Sequence, residues 1–229
     1  MNHVAAKSTF ASTAAKSLLF LAAFAIGGMA LFGLRNPSSQ SGVFQQMLKL
    51  LPWAGYSHIV FGSLALMLGS FQISSRLRRK HIRLHERIGK AYVTCVLMAS
   101  VGAIATNIVS PTPWSAKSAF WLTSIAWPIT TLAGYPFKGR FNPKRHGRWM
   151  LWSFALTCSA ITLRAVLIPM MIAGVPFATA YPISAWTGFS VNLLVLELIL
   201  FAKRRGRGVS RPGFHPATPD GRLQGVGVS

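Results

Sequence analysis

Long apolar runs alternate with short, arginine-dense connections along most of this chain, and that alternation constrains the fold more than any motif does. The apolar runs occupy residues 17–34, 54–74, 85–109, 117–135, 149–173 and 183–202. Each is close to the ~20 residues with which a helix crosses the hydrocarbon core of a bilayer. In lipid, a spanning segment must satisfy its backbone N–H and C=O groups internally, so these runs are expected to be helices. The expected fold is therefore all-α, a polytopic transmembrane helical bundle of about six spans.

Charge sets the orientation. The second and third runs are joined by RLRRKHIRLHERIGK (76–90), the fourth and fifth by KGRFNPKRHGR (138–148), and the sixth is followed by KRRGR (203–207). Basic connections collect on the cytoplasmic side, and an even number of spans puts both termini there too. In a soluble protein, a net charge of +21 from 24 Lys and Arg against 3 Asp and Glu would point to nucleic acid. Here the basic residues lie between apolar runs, so the expected partners are the lipid bilayer and its anionic headgroups, with no nucleic acid. A chain that is 52% hydrophobic and only 12% charged is also more apolar than a soluble core of this length requires.

Three regions follow. Residues 1–16 form a polar cytoplasmic segment, 17–203 the membrane domain, and 204–229 a basic tail without apolar periodicity, expected to be disordered. Gly28-Met29-Ala30 resembles a signal-peptidase site, but the run before it is longer than a usual signal core, which favours a retained span. Residues 35–53 read as an external loop whose amphipathic piece, 43–51, lies at the interface. Pro128 should kink its span without breaking it. Cys95 and Cys158 sit inside apolar runs without CxxC spacing, as small core residues rather than disulfide or zinc positions.

Polar side chains are costly in hydrocarbon, so those within the runs mark sites of pairing or function. His58 lies near the external end of its run, and Gly62, Ala65, Gly69 and Gln72 follow on the same helical face. That face is a small-residue packing seam that would also admit a flat cofactor. The plain alternative for His58 is an interfacial histidine bonded to a loop. His85 opens the third run one turn before Gly89, with His81 a turn earlier. A histidine pair at this spacing can bind a metal. Arg79, Lys80, Arg83 and Arg87 would repel one, and only Glu86 offers a further ligand, so no such clamp is expected.

His146, Trp149, Ser153, Thr157, Ala160 and Arg164 fall on one face of the fifth run. His146 and Arg164 are then roughly 27 Å apart at opposite ends of a polar stripe. Arg164 is expected at the level of His58, unless it snorkels to the external headgroups. Glu197 belongs to the inner half of the sixth run, with Lys90 as its expected counter-charge. Paired, it is structural; unpaired, it is a proton-binding group. No nucleophile–base arrangement, P-loop or carboxylate dyad points to hydrolase or nucleotide chemistry.

The histidine and glycine of Ser57–Gly62, the segment RKHIRLHERIGKAYV (79–93) and RHGRWMLWSFALTCSAITLR (145–164) resemble the bacterial membrane-protein family catalogued as domain of unknown function 2306. The likeness runs from about Trp53 to Leu200 and is carried by His58, His85, Arg87, Gly89, His146, Trp149 and Arg164. It implies a multi-pass inner-membrane protein with no assigned activity. A more distant likeness is to cytochrome b561-type bundles, in which histidines of facing helices ligate haem. That likeness implies one b-type haem between His85 and His146, with space at Gly89 and Arg87 and Arg148 near its propionates. At the external level His58 has no second histidine.

Three functions are therefore expected to compete. The first is transmembrane electron transfer through that haem to a redox partner. The second is a small transporter or lipid-interacting protein in which His58, Gln72, Arg164 and Glu197 line an interior path. The third is structural assembly with another membrane protein.

Overall fold

The computed structural model describes residues 2–36, 42–136 and 141–208, and these form nine helices. The chain makes two compact units, Met1–Leu196 and Glu197–Ser229. Five stretches among the described residues are long and apolar enough to cross a membrane: Thr13–Gly33, Pro52–Gln72, Ile82–Val109, Pro143–Ile172 and Phe177–Arg205. The expected fourth span is also a helix of 21 residues, α6 (Trp114–Gly134). Lys117 and a succession of Ser and Thr make it less apolar than the others.

The first helix, α1 (Asn2–Gly33), begins ahead of its apolar stretch, Thr13–Gly33. Its start is rich in Ala, Ser, Thr and Lys and has neither proline nor glycine, so nothing interrupts the helix before the apolar run. A short amphipathic helix, α2 (Gly42–Leu50), precedes α3 (Pro52–Gln72), as the pattern of 43–51 predicts. The basic connection folds partly into α4 (Ser75–Lys80), capped by Ser74 Oγ accepting from Leu77 N at 3.2 Å. His81 then takes a non-helical φ of −136° ahead of α5 (Ile82–Val109). His81 and His85 are therefore not one helical pair.

The core is centred on α3 and α5, where Ala54, Ala65, Leu66, Val96 and Ala99 are buried. Gly102 permits the closest approach, because a Cβ there would lie 2.5 Å from Ala54 O and 2.7 Å from His58 N. Along the seam on α3, the Phe154 ring occupies the place of a Gly69 side chain, whereas a Cβ on Gly62 would meet only Ala99, at 3.9 Å.

Pro128 lies within an unbroken α6. Thr130 and Thr131 both donate to Trp127 O, at 2.9 and 2.7 Å, covering backbone beside the proline. α6 is bound to the next helix, α7 (Pro143–Thr157), by a buried hydroxyl cluster. Tyr92 Oη bonds Ser153 Oγ and Thr157 Oγ1, Thr131 Oγ1 bonds Ser153 Oγ, and Trp127 Nε1 donates to Thr157 Oγ1, all within 2.6–2.9 Å. Every member has a partner, the condition under which a polar cluster stabilises an apolar interior.

The fifth run forms α7 and α8 (Ser159–Ile172), separated at the single residue Cys158. The backbone there stays in the right-handed helical region, with Cys158 N bonded to Phe154 O at 2.9 Å and Thr162 N to Cys158 O at 3.2 Å, and Pro143–Ile172 is one apolar stretch of 30 residues. Thr157 Oγ1 donates back to Ser153 O at 2.9 Å.

The last helix, α9 (Phe177–Gly208), begins ahead of the expected residue 183 and carries Pro182 inside it. Within the first unit, Asn192 donates to Ala155 O at 3.1 Å and accepts from Thr162 Oγ1 at 2.8 Å. The second unit opens with Glu197 on the same helix, and Arg205 stacks over Phe201 at 4.7 Å. The tail expected to be disordered from 204 is helical to Gly208; 209–229 lie outside the described residues.

Candidate functional site

Two groups of polar residues gather at opposite ends of α5. At the His85 end, His146 and Arg78 lie close enough to His85 for their charges to be felt there. His146 is held by Nδ1 donating to Gly134 O at 2.6 Å, which leaves Nε2 as its second functional nitrogen. Nδ1 of His85 is buried and has no hydrogen-bond partner. Arg87, Arg148 and Lys90 are exposed around this end.

Two imidazoles suit a haem iron as axial ligands. Beside them, a Cβ on Gly89 would make an ordinary contact with Gln72 Oε1 at 3.7 Å, and Gln72 Nε2 donates to His85 O at 3.1 Å. Among the described residues, no three His, Cys, Asp or Glu side chains come together as a metal cluster would need.

At the other end, a cavity of about 420 Å³ opens among the helices of the first unit. It is walled by apolar groups such as Leu66, Phe120, Leu156 and Leu163, by several Ser and Thr residues, and by larger polar groups that include His58, Asn107, Tyr181 and Arg164. The reason His58 and Arg164 meet is local. Gly102 lets α3 approach α5, and His58 Nδ1 donates to Ala99 O at 3.1 Å across that contact. The bond sets the tautomer and leaves Nε2 as an acceptor. Arg164 Nη1 donates to Ala160 O at 2.9 Å, one turn back on α8. The guanidinium charge is felt at both His58 and Tyr181.

Arg164 is the one charged side chain among the described residues of the wall, and no carboxylate is among them. Ser159, the first residue of α8, also lines the cavity, and its Oγ is buried without a partner. Of the expected interior residues, His58 and Arg164 are therefore joined in one chamber. Gln72 is instead at the His85 end, Lys90 is exposed on α5, and Glu197 belongs to the second unit.

Asn107 and Tyr181 were not among the expected site residues. Asn107 is 7% exposed in the last turns of α5 and could have been found by applying the intramembrane polarity criterion to neutral amides. Tyr181 was hidden by the following Pro182, which reads as loop.

A helical bundle with several membrane-length apolar helices and polar groups converging on an interior cavity is a multi-pass membrane protein, in contact with the lipid bilayer. Residues 55–200 match the family model DUF2306, described as a predicted membrane protein, and the chain belongs to that family. No curated protein and no solved structure matches.

Proposed function

We propose that this is a six-span protein of the bacterial inner membrane, with both termini in the cytoplasm, whose outer-half chamber receives a small acidic ligand for transport or lipid handling. The observation that carries the reading is the cavity of about 420 Å³ holding Arg164 among apolar walls. A cation at membrane depth is costly and is retained where it meets an ion or a water-filled path. A sixth crossing at α6 is supported by its 21-residue length and its unbroken passage through Pro128.

Accessibility tests the chamber. Ala103 lines it, whereas Cys95 and Cys158 are only 7% and 9% exposed. An Ala103→Cys variant in membranes should react with a small, impermeant methanethiosulfonate while the parent protein does not. No reaction at that position would overturn the reading of an open chamber.

At the other end, a hollow of about 530 Å³ beside Lys80, Arg83 and Arg87 supports contact with anionic lipid headgroups. A second functional reading, one b-type haem between His85 and His146 passing electrons to a redox partner, is favoured by the shared location of the two rings and the unpartnered Nδ1 of His85.

A further inference from the structure

We infer that the chamber selects a monoanionic amphiphile, a single carboxylate on an apolar body of about a dozen non-hydrogen atoms, with Arg164 as its counter-charge. This rests on the reading of the chamber as a ligand site and goes on to fix the charge and size of what enters it.

The charge follows from a count. Among the described residues lining the cavity, Arg164 is the one fixed charge and there is no carboxylate. A guanidinium does not lose its proton in a protein, so the wall carries one positive charge. One N–H is committed to Ala160 O, and the rest of the group remains for an oxygen ligand. A partner with one negative charge leaves the pair neutral in a region where net charge is costly. A neutral ligand leaves the guanidinium uncompensated, and a dianion replaces an excess positive charge with an excess negative one.

The size follows from the volume. At roughly 30 Å³ for each water-sized group, 420 Å³ holds about fourteen groups, a medium-chain acid or a fused-ring aryl acid. The leucine and phenylalanine walls suit the apolar body. His58 Nε2, whose tautomer is set by the bond to Ala99 O, adds an acceptor, and Ser159 Oγ adds a hydroxyl without a partner of its own. These groups let the acid be bound with one face toward Arg164 and any hydroxyl toward His58.

The test is a charge series on the full-length protein in neutral phosphatidylcholine nanodiscs, read by tryptophan fluorescence because Trp127 lines the cavity. The probes are decanoate, its methyl ester, decyl phosphate and 2-naphthoate, at about pH 8.5 where the phosphate is a dianion. Decanoate or 2-naphthoate should bind at least about tenfold more tightly than the ester and the phosphate, a factor equal to about 1.4 kcal/mol. Preference for the chain acid points to a membrane-derived ligand, and preference for the ring acid to one from the aqueous phase. Arg164→Gln should reduce acid binding to the level of the ester, with ester binding itself serving as the check that the variant is folded. If that variant fails to fold, the series on the parent protein still decides. Ester binding as tight as acid binding, or tighter binding of the phosphate, would overturn the monoanion while leaving the chamber a ligand site. Failure of all four probes to bind would overturn both.

Discussion

Gly102→Ala is the smallest change that should damage both the packing and the chamber. The added Cβ would lie 2.5 Å from Ala54 O and 2.7 Å from His58 N. Ordinary contact begins near 3.4 Å, so α3 and α5 would have to separate by 3.4 − 2.5 = 0.9 Å at this level. Both obstructing atoms are backbone and cannot rotate away. Overpacking of this kind costs about 1–3 kcal/mol, occasionally more, and the better helix propensity of Ala returns about 1 kcal/mol. With rigid backbone on both sides the upper part of the range applies, for a net loss of about 2 kcal/mol. For a chain of this length that lowers the thermal midpoint by about 4–8 °C. The assay is thermal unfolding of the purified protein in detergent, with Gly28→Ala as control, since a Cβ there meets nothing within 4 Å. The control should match or exceed the parent. Gly102→Ala should also stretch the 3.1 Å bond from His58 Nδ1 to Ala99 O and weaken binding in the chamber. An unchanged midpoint for Gly102→Ala would refute the close α3–α5 contact on which the position of His58 depends.

The hydroxyl cluster gives an ordered pair of outcomes. Tyr92→Phe removes one hydroxyl but leaves Ser153 bonded to Thr131 and Thr157 bonded to Trp127, so it should cost about 1 kcal/mol. Thr157→Val strips Trp127 Nε1 of its acceptor and should cost about 2–3 kcal/mol in the same unfolding assay; the reverse order would show that Thr157 is not the hub. For the haem reading, dithionite-reduced absorption spectra of protein from haem-replete cells should show sharp bands that His85→Ala and His146→Ala each abolish. A full spectrum in both variants would remove that assignment.

Much of the helical architecture is legible in the sequence because apolar length and proline-bearing stops act locally. The interfacial helix before Pro52 and the intact passage through Pro128 are of this kind. His58 and Arg164 could be selected as interior residues because charge and imidazole are rare inside apolar runs. Their meeting with Tyr181 in one chamber depended on how α9 begins, and Pro182 concealed that start. The separation of α7 from α8 at Cys158 was illegible for a different reason. Thr157, Cys158 and Ser159 include neither glycine nor proline, and the bond of Thr157 to Ser153 O is of a kind that Thr123 makes within the unbroken α6. At Gly89 the sequence marks a small residue but not its neighbour, which α3 decides: the Gln72 amide stands at ordinary contact distance from an added Cβ.

The two parts of the Pro143–Ile172 stretch are held by different neighbours. α7 is anchored, since Ser153 and Thr157 are tied to α5 and α6 through the hydroxyl cluster. α8 has no fully buried residue, and it is α8 that carries Arg164. That half is tied to the last helix instead: Thr162 Oγ1 donates to Asn192 Oδ1 at 2.8 Å, and Gly188 lets α9 approach Leu163 so closely that a Cβ there would lie 3.3 Å from the Leu163 Cβ. The charge of the chamber is therefore held from the α9 side, while the imidazole facing it is held from the α5 side, and the two walls can be disturbed separately.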